Sequence, residues 1–190
     1  MSDQNHHQQI IPDDVPVVSQ VIEDDGTFPN NATLPVVIYR QGIAVDVPDP
    51  AGIIEDRFHE QHWGGVWRNG IFHYHHYHST AHEVLCVARG TVSVQLGGDA
   101  GPVANLVPGD VVVIPAGVAH KNLESSDDLV VVGAYPPHQI WDLNTGGTEE
   151  RPRADENIAA VPLPEMDPVL GESGPLIDLW GIGPQVGPLW

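Results

Sequence analysis

The sequence predicts an all-β domain, a sandwich or barrel of short strands with one short helix and a proline-rich arm. Three observations lead there. Eighteen prolines and twenty glycines in 190 residues punctuate the chain too densely for long helices. Valine is abundant, whereas only 6% of residues are aromatic, which favours strands over a helical bundle. From Val66 to Tyr135, short apolar or alternating runs recur between glycine-rich turns.

In chain order, residues 1–15 are polar and are expected to lie outside the core. Val15 to Val18 and Leu34 to Tyr39 are short β-branched runs broken by proline and are expected to be edge strands. Asp49-Pro50 reads as a helix start, N-cap followed by proline at the first helical position. A helix over 50–62 would bury Ile53, Ile54 and Phe58 and end near Trp63-Gly64-Gly65. A strand through Phe72, Tyr74, His76 and His78 follows, then one through Glu83, Leu85 and Val87. Thr91 to Leu96, Val111 to Ile114 and Leu129 to Tyr135 complete the set.

Several strands are apolar on both faces: Val84, Cys86 and Ala88 oppose Leu85 and Val87, and Val111 and Val113 oppose Val112 and Ile114. A sheet with one wet face would alternate instead. The N-terminal arm, the tail or a second subunit must cover the outer side, so a homodimer is expected. Residues 136–190 are rich in proline, glycine and acids. They nevertheless keep Ile140, Trp141, Leu163, Leu176, Leu179, Trp180 and Trp190, too many large apolar groups for a disordered tail. The division is therefore an N-terminal arm with edge strands at 1–48, a core at 49–135 and a wrapping arm at 136–190, with a short helix at 154–160.

Composition narrows the function. Twenty-six acidic residues face seven basic ones, a net charge of −19, so the chain has no basic footprint for nucleic acid or an anionic membrane. Cys86 is the sole cysteine, which rules out an intrachain disulfide. Neither a secretory leader nor an apolar run of membrane-spanning length is visible, and a soluble cytoplasmic protein is expected.

The chemistry concentrates in His76, His78, Glu83 and His120. Side chains two apart on a strand share a face, so His76 and His78 can point at one atom. Three imidazoles and a carboxylate suit one divalent transition-metal ion (Fe, Mn, Ni, Zn or Co), with positions left open for a ligand. Tyr74 and Phe72 share that face. Tyr74 either donates a hydrogen bond to substrate or fills the barrel. His82, beside Glu83, is a candidate general base or support for a ligand, although its parity points it away. His73 and His75 have the opposite parity and are expected outside. Trp63, Trp67 and Arg68 form either a lid or packing between helix and sheet. Cys86, opposite the ligand face, reads as a buried inert thiol.

These residues carry a resemblance. Gly70, five residues, His76, one, His78, four, Glu83, six, Gly90 is similar to the first cupin motif at every spacing. Gly109, five residues, Pro115, one, Gly117, two, His120 is similar to the second, with 18 residues between the motifs. The second motif commonly places asparagine four residues after its histidine; here that position is Glu124, and Asn122 is nearest. The chain resembles a single-domain cupin. Trp67-Arg68-Asn69-Gly70, Val132-Gly133-Ala134-Tyr135-Pro136, Trp141-Asp142, Leu163-Pro164 and Gly174-Pro175-Leu176 resemble the uncharacterised YjlB-like group. The resemblance implies a double-stranded β-helix (jelly roll) holding one metal on His76, His78, Glu83 and His120. By analogy it implies an enzyme of dioxygenase, lyase or isomerase type acting on a small organic molecule. The competing expectation is a metal-stabilised, non-catalytic barrel that binds a sugar or other small ligand.

Overall fold

The computed structural model describes residues 11, 12 and 14–182. Most of the polar start and Trp190 lie outside the described residues. Nine strands form two antiparallel sheets: β1 Val17–Ile22, β2 Asn31–Tyr39, β3 Gly64–Asn69, β4 Glu83–Arg89, β5 Val92–Leu96, β6 Val103–Leu106, β7 Val111–Ile114, β8 His120–Ser125 and β9 Val130–Tyr135. The larger sheet has the order β1-β2-β7-β4-β9-β3 and the smaller β6-β5-β8. This is the two-sheet jelly-roll architecture. Among the described residues no helix is long and apolar enough to cross a membrane.

The two-faced strands find cover on both sides. Leu85, Val87, Val112, Ile114 and Val131 point inward and pack with Val92, Val94, Leu96 and Leu106 of the smaller sheet. Val84, Cys86, Val111, Val113, Val132 and Ala134 point outward into a second cluster with Ile54, Phe58, Trp63, Val169, Leu176 and Trp180. Each large side chain so buried contributes about 1.5–3 kcal/mol. The helix and the C-terminal arm of the same chain thus cover the outer face. The observation that motivated a homodimer is accounted for without a second subunit. Three hydrogen bonds pin the arm there: Trp180 Nε1 to Pro35 O at 2.9 Å, Trp63 Nε1 to Met166 O at 3.0 Å and Tyr39 Oη to Asp167. Burial pushes the Cys86 thiol well above its ordinary pKa, as an inert core group requires.

The helix, α1, spans Pro50–Glu60 with Asp49 as N-cap accepting from Gly52 N at 3.1 Å. Ala51, Ile54 and Phe58 are its buried residues. It stops sooner than expected, because Gly64 and Gly65 open β3 instead of capping the helix. Two later helices, α2 Arg153–Ala160 and α3 Pro175–Leu179, belong to the arm.

Two strand expectations need correction. β1 is an edge strand, but β2 is interior, between β1 and β7. Pro35 is tolerated because the β2–β7 ladder begins at Val37, and the β1–β2 register is irregular between Gln20 and Ile22, opposite the proline's neighbourhood. Phe72 to His78 is not a strand. It makes isolated bridges only, His76 with His120 and Tyr77 with Asn144. The departure at Glu124 is absorbed by a bulge: β8 runs on to Ser125, with Glu124 opposite Ser93 and Asn122 opposite Val94.

Candidate metal centre

Three pieces of the fold converge on one cavity. Glu83 begins β4 and His120 begins β8. His76 and His78 sit on the segment between β3 and β4, which lacks a ladder of its own and borrows neighbours. His76 exchanges both main-chain hydrogen bonds with His120, N to O at 3.2 Å and O to N at 2.9 Å. Tyr77 does the same with Asn144 of the arm, at 2.9 and 3.0 Å. Gly117 N then donates to His78 O at 2.8 Å. Successive residues therefore bond to opposite sides, which turns His76 and His78 inward while Tyr77 is buried on the other side.

The three imidazoles stand with ring centroids 4.1 Å (His76–His120), 5.7 Å (His76–His78) and 6.1 Å (His78–His120) apart. Each ring directs Nδ1 at a main-chain carbonyl: His76 at Tyr74 O (3.3 Å), His78 at Asp142 O, and His120 at Val118 O (3.3 Å). A carbonyl can only accept, so in the neutral ring the proton sits on Nδ1 and the Nε2 lone pair is left free. Glu83 Oε2 lies 3.4 Å from His78 Nε2 and 3.3 Å from His120 Nε2. It is within ion-pair reach of both, but it has no hydrogen-bond partner among the described residues. Its other oxygen accepts from Tyr135 Oη at 2.9 Å, and Tyr135 in turn accepts from Trp67 Nε1 at 3.2 Å.

The electrostatics follow from this packing. Burial acts to raise the Glu83 carboxyl, but the His78 and His120 rings outweigh it and hold the group below the ordinary carboxylate range. Burial, with His120 adding to it, pushes His76 down to about 3. His78 goes the other way: burial opposes its charge, yet Glu83 and the Asp142 carbonyl raise its pKa. Burial and then the Glu83 charge push the Tyr135 phenol up, which keeps it a hydrogen-bond donor.

A buried carboxylate oxygen without a partner, facing imidazoles whose Nε2 atoms are free, is a donor set that fits a divalent cation. Among the described residues no group of three or more His, Cys, Asp or Glu side chains is spaced, as it stands, so that it could hold a metal ion. What the fold provides is convergence of the four donors on one cavity, with tautomers set from behind.

All four donors line a cavity of about 340 Å³, together with Trp67, Arg68, Asn69, Ile71, Phe72, Leu85, Tyr135 and Trp141. Of the aromatic residues read as either lid or packing, Trp63 packs in the core and Trp67 lines the cavity. Neither proton-carrying candidate is among the lining residues. Tyr74 is exposed and stacks on Phe72 with centroids 5.0 Å apart. His82 is buried beneath the arm, accepting from Ala116 N at 2.9 Å and packing on Trp180 at 4.7 Å. Its backbone continues β4, so it faces away from Glu83, and burial pushes its pKa down to about 3. Both leave the catalytic set for that reason. His73 and His75 also stand outside the cavity; His75 packs on Phe28 at 5.2 Å.

Three contributors escaped the sequence reading: Tyr135, Trp141 as a cavity wall, and the Asp142 carbonyl. The aromatic pair had no periodic signal, and a main-chain carbonyl has none at all. Asp142 is also the anchor of its own strap. Its carboxylate accepts from Ser79 N (2.6 Å), Ser79 Oγ (2.5 Å), Asn144 Nδ2 (2.9 Å) and Thr80 N (3.3 Å).

The fold and the donors define a class, and the comparisons agree with it. Residues 67–138 match the cupin domain family. The chain is 40% identical over 157 residues to the uncharacterised protein YjlB of Bacillus subtilis, covering 83% of this chain and 92% of that one. The chain belongs to the cupin family. Among solved structures it is similar to acireductone dioxygenase from Bacillus anthracis with cadmium in its active centre (18% identity, TM-score 0.35, 47% of this chain and 61% of that one). It is also similar to procruciferin, the 11S globulin of Brassica napus (15% identity, TM-score 0.35, 60% of this chain and 23% of that one). Likeness at that level, to an enzyme and a seed globulin alike, says nothing about chemistry.

Proposed function

We propose that the protein is a metal-dependent enzyme acting on a small organic molecule, with His76, His78, Glu83 and His120 holding one divalent transition-metal ion. One observation carries this reading: three imidazoles with Nδ1 on main-chain carbonyls and an unpartnered buried carboxylate oxygen open onto the same cavity. Bound there, the metal supplies Lewis acidity and, if redox-active, dioxygen reactivity, and dioxygenase-type chemistry is the reaction class we put forward. The chain's own groups prepare the site. Tyr135 orients Glu83 by donating to Oε1, the three carbonyls fix the imidazole tautomers, and Trp67, Phe72 and Trp141 line the cavity beside the donors.

The test is elemental analysis after mild purification of the wild type, His76→Ala and His120→Ala, with oxygen-consumption assays on small acids, diols and phenols. The expected result is near-stoichiometric metal in the wild type, its loss from both folded variants, and metal-dependent turnover. Unchanged metal in the variants removes those residues from the site. Metal without turnover across the panel leaves the non-catalytic binding barrel instead.

A further inference from the structure

We infer that the cavity takes a planar, single-ring aromatic molecule with its oxygen donors at one end and an uncharged far end, and that Trp141 is the wall that selects it. This rests on the metal reading above and adds the ligand class to it.

Size comes first. At about 340 Å³ the cavity is at the small end of ligand pockets and holds one ring-sized body beside the donors. The walls come next. Phe72 meets His76 edge-on at 5.0 Å, and Trp141 stands 5.6 Å from His78. Tyr135 and Trp141 are nearly parallel, 23° apart, with centroids at 6.2 Å. Phe72 and Trp141 thus each stand against a donor imidazole and both line the cavity, so a molecule whose oxygens reach the donors carries its body past aromatic rings.

The polar inventory decides between an aromatic body and a polyol. Tyr135 Oη is committed to Glu83 and Trp67, and the Trp67 indole N–H to Tyr135. Arg68 is clamped by both oxygens of Glu55, with Asp49 at 3.7 Å, so its charge is already met. Away from the metal donors, that leaves as side-chain donors Arg68 Nη1, the exposed Asn69 amide and the Trp141 indole N–H, while the Asn69 amide oxygen already accepts from Gly70 N at 2.9 Å. No side-chain oxygen is therefore left free, away from the metal donors, to accept from the hydroxyls of a sugar ring, and each hydroxyl proton left unmet in such a site costs binding. The clamped guanidinium likewise has no free charge for a carboxylate on the far end of the ligand. A flat ring instead gains from the aromatic walls and asks nothing of polar groups beyond the metal end.

Trp141 belongs to the arm, beyond the residues that match the cupin domain at 67–138. The wall that sets the ligand preference thus comes from outside the matched cupin segment.

The test holds the metal-binding head constant and changes only the body. Zinc-loaded full-length protein is titrated by calorimetry with benzohydroxamate, cyclohexanecarbohydroxamate and acetohydroxamate, with zinc content measured on the same samples. Benzohydroxamate is expected to bind about tenfold more tightly than the saturated ring of similar size. Trp141→Ala is expected to abolish that preference while zinc content stays unchanged. Phe72→Ala, at an exposed position, serves as the second variant and is expected to weaken the preference. Equal affinity for the flat and saturated rings overturns the inference, as does a full preference surviving in both variants. A wild type that retains no zinc overturns the metal reading itself, whereas zinc retained without a ring preference overturns this inference alone.

Discussion

Asp142 offers the sharpest test of how the arm serves the proposed metal centre. Its carboxylate takes both Ser79 donors, N at 2.6 Å and Oγ at 2.5 Å, and its own carbonyl faces His78 Nδ1. Asp142→Ala leaves that carbonyl in the chain but removes what holds it in place. The substitution removes four hydrogen bonds to a charged acceptor, from Ser79 N, Ser79 Oγ, Thr80 N and Asn144 Nδ2; such bonds contribute about 1.5–3 kcal/mol each when buried, and partial solvent access here reduces the set to about 2–4 kcal/mol in all. Loss of a group that orients a metal-ligating imidazole weakens metal affinity about 10- to 100-fold. Burial acts to raise the Asp142 carboxyl, while the Ser79 and Asn144 hydrogen bonds outweigh it and hold the group below its ordinary value. A depressed carboxyl contributes stability that is fully present above its unfolded pKa, about 3.9, and is lost as pH falls through the lower folded value. The stability gap between wild type and variant should therefore be full at neutral pH and close below about pH 4. Urea melts of the metal-free proteins at several pH values give the first quantity, and competition with a chromophoric chelator for Zn²⁺ gives the second. A variant that loses stability while binding zinc as tightly as the wild type would refute the orienting role and leave the strap as mere packing.

The other predictions are read in the same assays. Tyr135→Phe removes the donor to Glu83 Oε1 and strands the Trp67 indole N–H, so zinc affinity should fall about tenfold; unchanged affinity would show that Tyr135 does not orient the carboxylate. Gly133→Ala places a Cβ 2.2 Å from the Trp67 ring, which must leave the cavity wall; a destabilisation of about 1–3 kcal/mol is expected, and a wild-type melting temperature would contradict the packing described. Burial lowers the His82 pKa to about 3, so its neutral form belongs to the folded state, and the associated stability is fully present above pH ~6.5 and is lost as pH falls from there toward about 3. His82→Asn should flatten the loss of stability between pH 7.5 and 5, where each pH unit below ~6.5 is worth up to ~1.4 kcal/mol; parallel profiles would remove His82 as its source.

How far the chain could be read from its residues differs between parts of the site. The spacing in the two glycine-bounded motifs singled out His76, His78, Glu83 and His120, and the four do line one cavity, because a spacing pattern leaves a signature within each segment. The Asp49-Pro50 helix start was legible for the same reason: capping is chemistry between near neighbours. The reasoning failed where a feature depends on what lies across space. Phe72 to His78 has the alternation of a strand but no continuous partner. Its register comes instead from His120 on one side and Asn144 on the other.

The sequence alone determined the donor types, their spacing, the two-sheet class and the need to cover strands apolar on both faces. Only the tertiary structure decided that the chain's own helix and arm provide that cover. It also decided that His82 faces the arm while Glu83 faces the cavity, and that a carbonyl at Asp142 sets the tautomer of His78. The physical reason is range. Periodicity and spacing encode interactions made within a few residues, whereas Trp141 over His78 and Tyr135 on Glu83 join residues dozens of positions apart, and nothing in either segment names its partner.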